Sequence, residues 1–210
     1  MARTPHSKPV PVHALHAALR DTQQRLETLY ALEPAPDVTQ FTFIDPSNQP
    51  EQVLVRQTED ALELQLSLPA NLDVHAEPRS DDHVSMVEGV SHFLHLADRS
   101  RTQLSTSHLE LELQAEVDDK FVLLWERLDV THPAVLSEVH SWLFERVTYL
   151  DDEGTVPGDR YRLANRVAAR LCGKLVDRAR RERSLTTPIA FLRRFYRCGL
   201  SEKLHLAHAA

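Results

Sequence analysis

Between residues 61 and 68 the chain alternates leucine and polar residues at every step. Leu62, Leu64, Leu66 and Leu68 fall on one side, and Glu63, Gln65 and Ser67 on the other. A period of two is the pattern of an extended strand with one dry and one wet face. On both sides of this region the apolar period is helical instead, so the fold must lay a small sheet on a larger body of helices. Residues 11–32 repeat leucine at helical spacing through Leu15, Leu19, Leu26 and Leu29. The segment Glu33-Pro34-Ala35-Pro36 ends that helix, because proline cannot continue it and biases the preceding residue toward extended backbone.

Two shorter extended runs precede the leucine strand. Phe41 and Phe43 alternate with Thr42 within Val38–Ile44, and Val53, Leu54 and Val55 form the second. The connectors Asp45-Pro46-Ser47-Asn48 and Gln57-Thr58-Glu59-Asp60 carry turn chemistry. The expectation is a three-stranded antiparallel meander. Beyond a loop at 69–79, Ser80 can cap a helix to Arg99, with Val84, Val87, Val90, Leu94 and Ala97 inward. A second helix is predicted from Ser107 to Leu128 and a third from Pro133 to Leu150. After the break at 151–158, Asp159 can cap a fourth helix to Arg181. Thr187 and Pro188 open a fifth that stops near Gly199, and Ser201 can start a last turn.

Strands followed by helices predict an α+β fold: an N-terminal helix and the meander packed on a C-terminal bundle of about five helices. The expected organisation is a flexible tail at 1–10 and a single domain over 11–210. Within that domain, 11–79 form the helix plus meander and 80–210 the helical part. The segments Val87–Leu94, Leu109–Asp118, Tyr161–Arg166 and Phe191–Tyr196 resemble stretches of an uncharacterised bacterial protein family, and the resemblance carries a bacterial origin and no activity.

Several function classes are disfavoured. Phosphate-cradling loops need clustered glycine, but Gly89, Gly154, Gly158, Gly173 and Gly199 fit neither dinucleotide nor P-loop spacing. Cys172 and Cys198 make no CxxC pair and fit a reducing cytoplasm. No apolar run reaches membrane length, and no signal peptide is recognisable at the N-terminus. No cofactor, no membrane contact and no catalytic residue is nominated.

The net charge of −7 conceals a split. Residues 159–210 hold thirteen Lys/Arg against four Asp/Glu, a balance of +9, whereas residues 1–158 hold eleven against twenty-seven, a balance of −16. Arg162, Arg166, Arg170, Lys174 and Arg178 recur every four residues as a cationic ridge, and Arg193, Arg194 and Arg197 add a second patch. Such a dipolar pattern steers association, so these eight residues are the candidate partner-binding set. A protein partner is preferred over nucleic acid, since no nucleic-acid motif accompanies the ridge. A second copy of the chain is a further candidate.

Two acidic groupings invite a chemical reading. Glu88, His92 and His95 share one helix face with Arg99, as imidazole and carboxylate ligands of a metal do. Glu112, Glu116 and Asp119 align on the next helix, within a run that also holds Glu110 and Asp118. The first is expected to face solvent or a neighbouring helix, and the second to lie on the outer, solvated face of its helix. The sequence therefore predicts a non-enzymatic bacterial adaptor, accessory subunit or regulator acting through protein contacts. A nucleic-acid-binding protein using the C-terminal basic helices is one alternative, and a metal-assisted enzyme around Glu88, His92 and His95 is the other.

Overall fold

A computed structural model describes residues 11–58, 62–76, 80–126, 141, 144, 147 and 149–209. The expected tail at 1–10 and most of the predicted helix from Pro133 lie outside the described residues. Among the latter the fold is α+β and mainly helical: helix α1 (Val12–Tyr30), strands β1 (Thr42–Asp45), β2 (Gln52–Gln57) and β3 (Leu62–Pro69), then α2 (Asp81–Arg101), α3 (His108–Glu126), α4 (Val156–Glu182), α5 (Thr186–Arg197) and α6 (Leu200–Ala209). None of these helices is long and apolar enough to cross a membrane.

The boundaries follow local chemistry. Helix α1 stops at Ala31, which takes a left-handed conformation (φ 51°) and satisfies the last carbonyls of the helix, just before the Pro34/Pro36 segment. Ser80 caps α2 by accepting from the His83 amide, as the sequence predicts. Helix α4 is capped by Thr155, not Asp159. The Thr155 hydroxyl accepts from Gly158, while the Asp159 carboxylate reaches back to accept from the Gly154 amide. The final helix is longer than the single turn expected from Ser201.

The sheet departs from the predicted meander. Its order is β1-β3-β2, with β1 parallel and β2 antiparallel to β3. A meander would put β2 in the centre and leave the leucine strand at an edge. Instead β3, the most apolar of the three, is hydrogen-bonded on both sides. Leu66 and Leu68 are fully buried, whereas Phe43 on β1 and Leu54 on β2 stay about half exposed. The most hydrophobic strand takes the most protected position, and Phe43 and Leu54, paired with Ser67 and Gln65, lie on the wet face.

Helix α2 crosses the dry face of this sheet at Gly89. A Cβ there would lie 2.7 Å from a Leu66 methyl and 3.2 Å from Cγ of Glu51. Glycine thus allows the helix to touch β3, and it also brings Glu51, just ahead of β2, against the helix. On its other side α2 packs antiparallel against α3, and α4 packs on α3 in turn. The core joins Leu15, Leu19 and Leu26 of α1, Leu66 and Leu68 of β3, Val87 and Val90 of α2, Leu113 and Val117 of α3, and the Ala164–Ala168–Leu171–Leu175 stripe of α4.

The single dry face gives a direct test. Leu66→Ala is expected to cost about 2–5 kcal/mol, the usual range for a fully buried leucine. Glu63→Lys, on the wet face beside Arg56, is expected to cost at most about 1 kcal/mol. Equal shifts in urea midpoint for the two variants would contradict this sheet.

Candidate metal centre

Residues 109–118 of α3 read Leu-Glu-Leu-Glu-Leu-Gln-Ala-Glu-Val-Asp, a strand-like alternation folded as a helix. At about 100° per residue, alternate positions separate into two groups. Glu110, Gln114 and Asp118 fall on one side, and Glu112, Glu116 and Asp119 fall nearly opposite. The expectation that these acids face solvent is overturned: Glu110, Glu112, Asp118 and Asp119 are buried, and Glu116 is largely so. With α2 on one side and α4 on another, α3 has no broad solvated face to offer them.

The carboxylates and the amide of the first group are served by their own chain, although Nδ1 of His95 beside them has no hydrogen-bond partner among the described residues. Asp118 accepts from Ser91 Oγ at 2.6 Å, from Gln114 Nε2 at 2.8 Å and from the Tyr30 hydroxyl. Lys203 of α6, completely buried, donates to Gln114 Oε1 at 2.8 Å and lies 3.7 Å from Glu110. Glu110 meets Arg99 at 2.7 Å and His95 at 3.1 Å. Arg99 also donates to the carbonyls of Tyr196 and Cys198 at the end of α5. His95 therefore belongs to this cluster and not with Glu88 and His92. Burial, Lys203 and Arg99 depress its pKa to about 4. Burial pulls Lys203 down to about 7, against the attraction of Glu110.

The second group is different. Glu112 faces His92, whose Nε2 lies 3.8 Å from Oε2, while His92 Nδ1 lies 3.5 Å from Glu51 Oε1. Glu88, His92 and Glu112 each offer one ligand atom, and these atoms lie within 4.8 Å of one another. Glu116 accepts a long hydrogen bond from Asn165 at 3.5 Å, and Arg160 Nε stands 3.6 Å from Glu112 Oε1. Asp119 is only 6% exposed, yet its Oδ1 has no hydrogen-bond partner among the described residues, and neither does Nε2 of His92.

The electrostatics record crowding. Burial, reinforced by Glu51, pushes the Glu88 carboxyl well above the usual range. Burial and the Glu88 charge do the same to Asp119. Burial lifts Glu116 to about 8 despite the Asn165 bond. Burial likewise raises Glu112, although His92 and Arg160 pull it down. Burial opposes the charge on His92, but the hydrogen bond and charge of Glu51, with Glu88 and Glu112, overcome it and hold its pKa at about 9. Glu51, Glu88 and Glu112 thus act on the His92 imidazole, Arg160 stands beside Glu112, and Glu116 and Asp119 add further buried carboxyls to the same region. Burial of an acidic set without enough counter-charge is costly, and proteins tolerate it mainly at sites that bind something.

Of the metal candidates read from the sequence, the structure brings Glu88 and His92 together and exchanges His95 for Glu112. Glu51, Arg160, Tyr161 and Asn165 had no sequence signal pointing to this site. The nominated basic residues lie elsewhere. Arg162 donates to the carbonyls of Asp151 and Gly158. Arg170 contacts His208 Nδ1, Lys174 donates to the His208 carbonyl, and Arg178 pairs with Glu182. Arg193 and Arg197 donate to carbonyls of Thr28, Leu29 and Tyr30 at the end of α1. Arg194 reaches Glu202, and Arg166 is exposed. Comparison with protein-family models, with curated proteins and with solved structures yields no match.

Lys203 gives this subsection its test. Its folded pKa of about 7 is below the ordinary lysine value of 10.5. Between these values the unfolded chain binds more protons than the folded one, so stability rises with pH across the window. Lys203→Met removes the titrating group. The difference in urea-unfolding free energy, wild type minus Lys203→Met, is expected to climb from pH 7 toward pH 10.5 and to be flat below pH 6. A flat difference throughout would mean that Lys203 is not buried as a titrating amine.

Proposed function

We propose that this chain is a divalent-metal-dependent hydrolase whose metal centre lies between α2 and α3. The observation that carries the reading is the buried convergence of Glu88, His92 and Glu112 within 4.8 Å, from two helices, with Glu51, Glu116 and Asp119 around them. One imidazole among several carboxylates suits manganese, iron or zinc; an all-oxygen set would favour magnesium or calcium. A divalent ion there would lower the pKa of a bound water into the physiological range, which is the main use of carboxylate–histidine sites in hydrolysis. Arg160 supports an anionic substrate. Its Nε is buried without a hydrogen-bond partner among the described residues, and its guanidinium lies beside Glu112 and over the ring of Tyr161. A planar fork at the edge of a metal centre suits a phosphoryl or carboxylate group.

The test is metal binding by the metal-free full-length protein. Manganese or zinc at about a hundred times its dissociation constant adds roughly 2.7 kcal/mol of stability. For a chain of this size that corresponds to a rise in melting temperature of about 5–10 °C. Ligation needs neutral imidazole, so affinity is expected to increase with pH up to about 9, where His92 titrates. His92→Ala and Glu112→Gln should abolish the rise. Absence of any bound ion, by elemental analysis and by melting, would remove the hydrolase reading.

A second reading rests on the exposed part of the basic ridge. Arg166 and Arg178 on α4 and Arg194 on α5 are exposed, and they fit an acidic protein partner of a bacterial adaptor or accessory subunit, with nucleic acid as the competing ligand. An Arg166→Glu/Arg178→Glu variant that keeps its melting temperature but loses partner capture would favour it. Salt-sensitive binding to mixed DNA or RNA, lost in the variant, would favour nucleic acid.

A further inference from the structure

The two ring nitrogens of His92 face two different acids. Nδ1 lies 3.5 Å from Oε1 of Glu51, at the outer limit of a hydrogen bond, and Nε2 lies 3.8 Å from Oε2 of Glu112. Nε2 is buried and has no hydrogen-bond partner among the described residues. A separation of 3.8 Å is too long for a hydrogen bond, but two ligands of one ion, each bound at about 2.0–2.2 Å, can span it. Among the described residues the ligand-distance group holds Glu88, His92 and Glu112, and it leaves Glu51 out. Glu51 therefore touches the ring of a candidate ligand without standing among the ligands.

The fold brings Glu51 in from the sheet. It sits just ahead of β2, and its Cγ is 3.2 Å from where a Cβ on Gly89 would lie, three residues before His92 on α2. The side chains of Glu51 and His92 are only 11% and 12% exposed, so water competes weakly for the pair. A neutral imidazole carries one N–H and one lone pair, and the nitrogen that donates cannot also ligate. A carboxylate ion only accepts. Placed at Nδ1, it keeps the proton there and leaves the Nε2 lone pair on the side of Glu112. Glu88, His92 and Glu112 then make three protein ligands, which leaves a fourth position of a tetrahedral ion for water.

We infer that Glu51 is a positioning residue of the metal centre: it accepts from Nδ1–H of His92 and so aims Nε2 at the ion held with Glu88 and Glu112. This rests on the metal-dependent reading above and deepens it. A carboxylate behind a ligating histidine fixes the tautomer and the ring orientation, and its loss costs about 10–100-fold in metal affinity.

Zinc(II) alone is the probe, added to the metal-free chain. Imidazole ¹⁵N resonance shows which nitrogen of His92 binds the ion and which keeps a proton, the signal being assigned by its loss in His92→Gln. Ligation through Nε2 with a protonated Nδ1 is expected. Calorimetric titration gives the affinity of two variants. Glu51→Leu is expected to bind zinc about 10–100-fold more weakly. Glu51→Gln keeps an oxygen that can accept from Nδ1–H, and its affinity is expected to lie between wild type and Glu51→Leu. Circular dichroism and a melting curve check that both variants are folded, and the wild-type spectrum decides without them. Ligation through Nδ1 would overturn the inference and leave the metal-dependent reading intact. So would wild-type affinity in folded Glu51→Leu. Folded Glu51→Gln binding as weakly as Glu51→Leu would make Glu51 a ligand or a bare charge, and would overturn it too. No zinc bound by the wild-type chain would overturn the metal-dependent reading itself, and the role of Glu51 with it.

Discussion

Helix α3 carries an acid or amide at every second position for ten residues and still lies in the interior. A helix turns through about 100° per residue, so this alternation cannot be gathered on one solvated face. It divides into two polar faces with apolar residues between them. Leu113 and Val117 pack in the core, and each polar face must then find its counter-charge inside the protein. The cost of burying ionised carboxylates without such partners is several kcal/mol each, comparable with the whole stability of a domain. Much of the remaining architecture can be understood as the answer to that constraint.

The two faces are answered differently. On the side of Glu110, Gln114 and Asp118, the chain supplies Lys203 from α6, Arg99 and Ser91 from α2, and Tyr30 from α1. The oxygens of Asp118 are hydrogen-bonded, and Glu110 is held ionised near a pKa of about 2 because His95, Lys203 and Arg99 together outweigh its burial. This face ties four helices together. On the side of Glu112, Glu116 and Asp119 the chain supplies one arginine and one histidine, and then adds two further acids, Glu51 and Glu88. The same helix thus has a satisfied face and a deficient one.

How much of this was legible in the sequence depends on the range of the interaction. Helix starts and stops were readable where a single residue decides them, as at Ser80 and at the Pro34/Pro36 break. The cap of α4 was misplaced because Thr155 and Asp159 both have capping chemistry, and only the path of the loop shows which one sits at the helix end. Strand order was not readable: the alternation of Leu62–Leu68 reveals a one-faced strand but not its neighbours. The alignment of Glu112, Glu116 and Asp119 was visible from spacing, as was that of Glu88 and His92. Their burial was not, because each helix by itself has an apolar stripe elsewhere. Glu51 could not have been assigned at all, since its place depends on Gly89 letting α2 come within contact of β3.

The C-terminal excess of arginine has a related explanation at the helix ends. The split of +9 against −16 suggests basic helices lying on acidic ones, but many of the arginine contacts are with backbone oxygen. Arg193 and Arg197 reach the last carbonyls of α1, Arg99 reaches those of α5, and Arg162 reaches Asp151 and Gly158 beside the start of α4. The ends of α1 and α5 hold orphan acceptors and the negative end of the helix dipole, so a guanidinium satisfies both there. Arg99 reaches the α5 carbonyls and Glu110 of α3 together, whereas Arg162, Arg193 and Arg197 spend their reach on backbone oxygen away from α3. The acidic face at Glu112, Glu116 and Asp119 therefore keeps its deficit, which is met by protons held on carboxyls of raised pKa or by the cation proposed above.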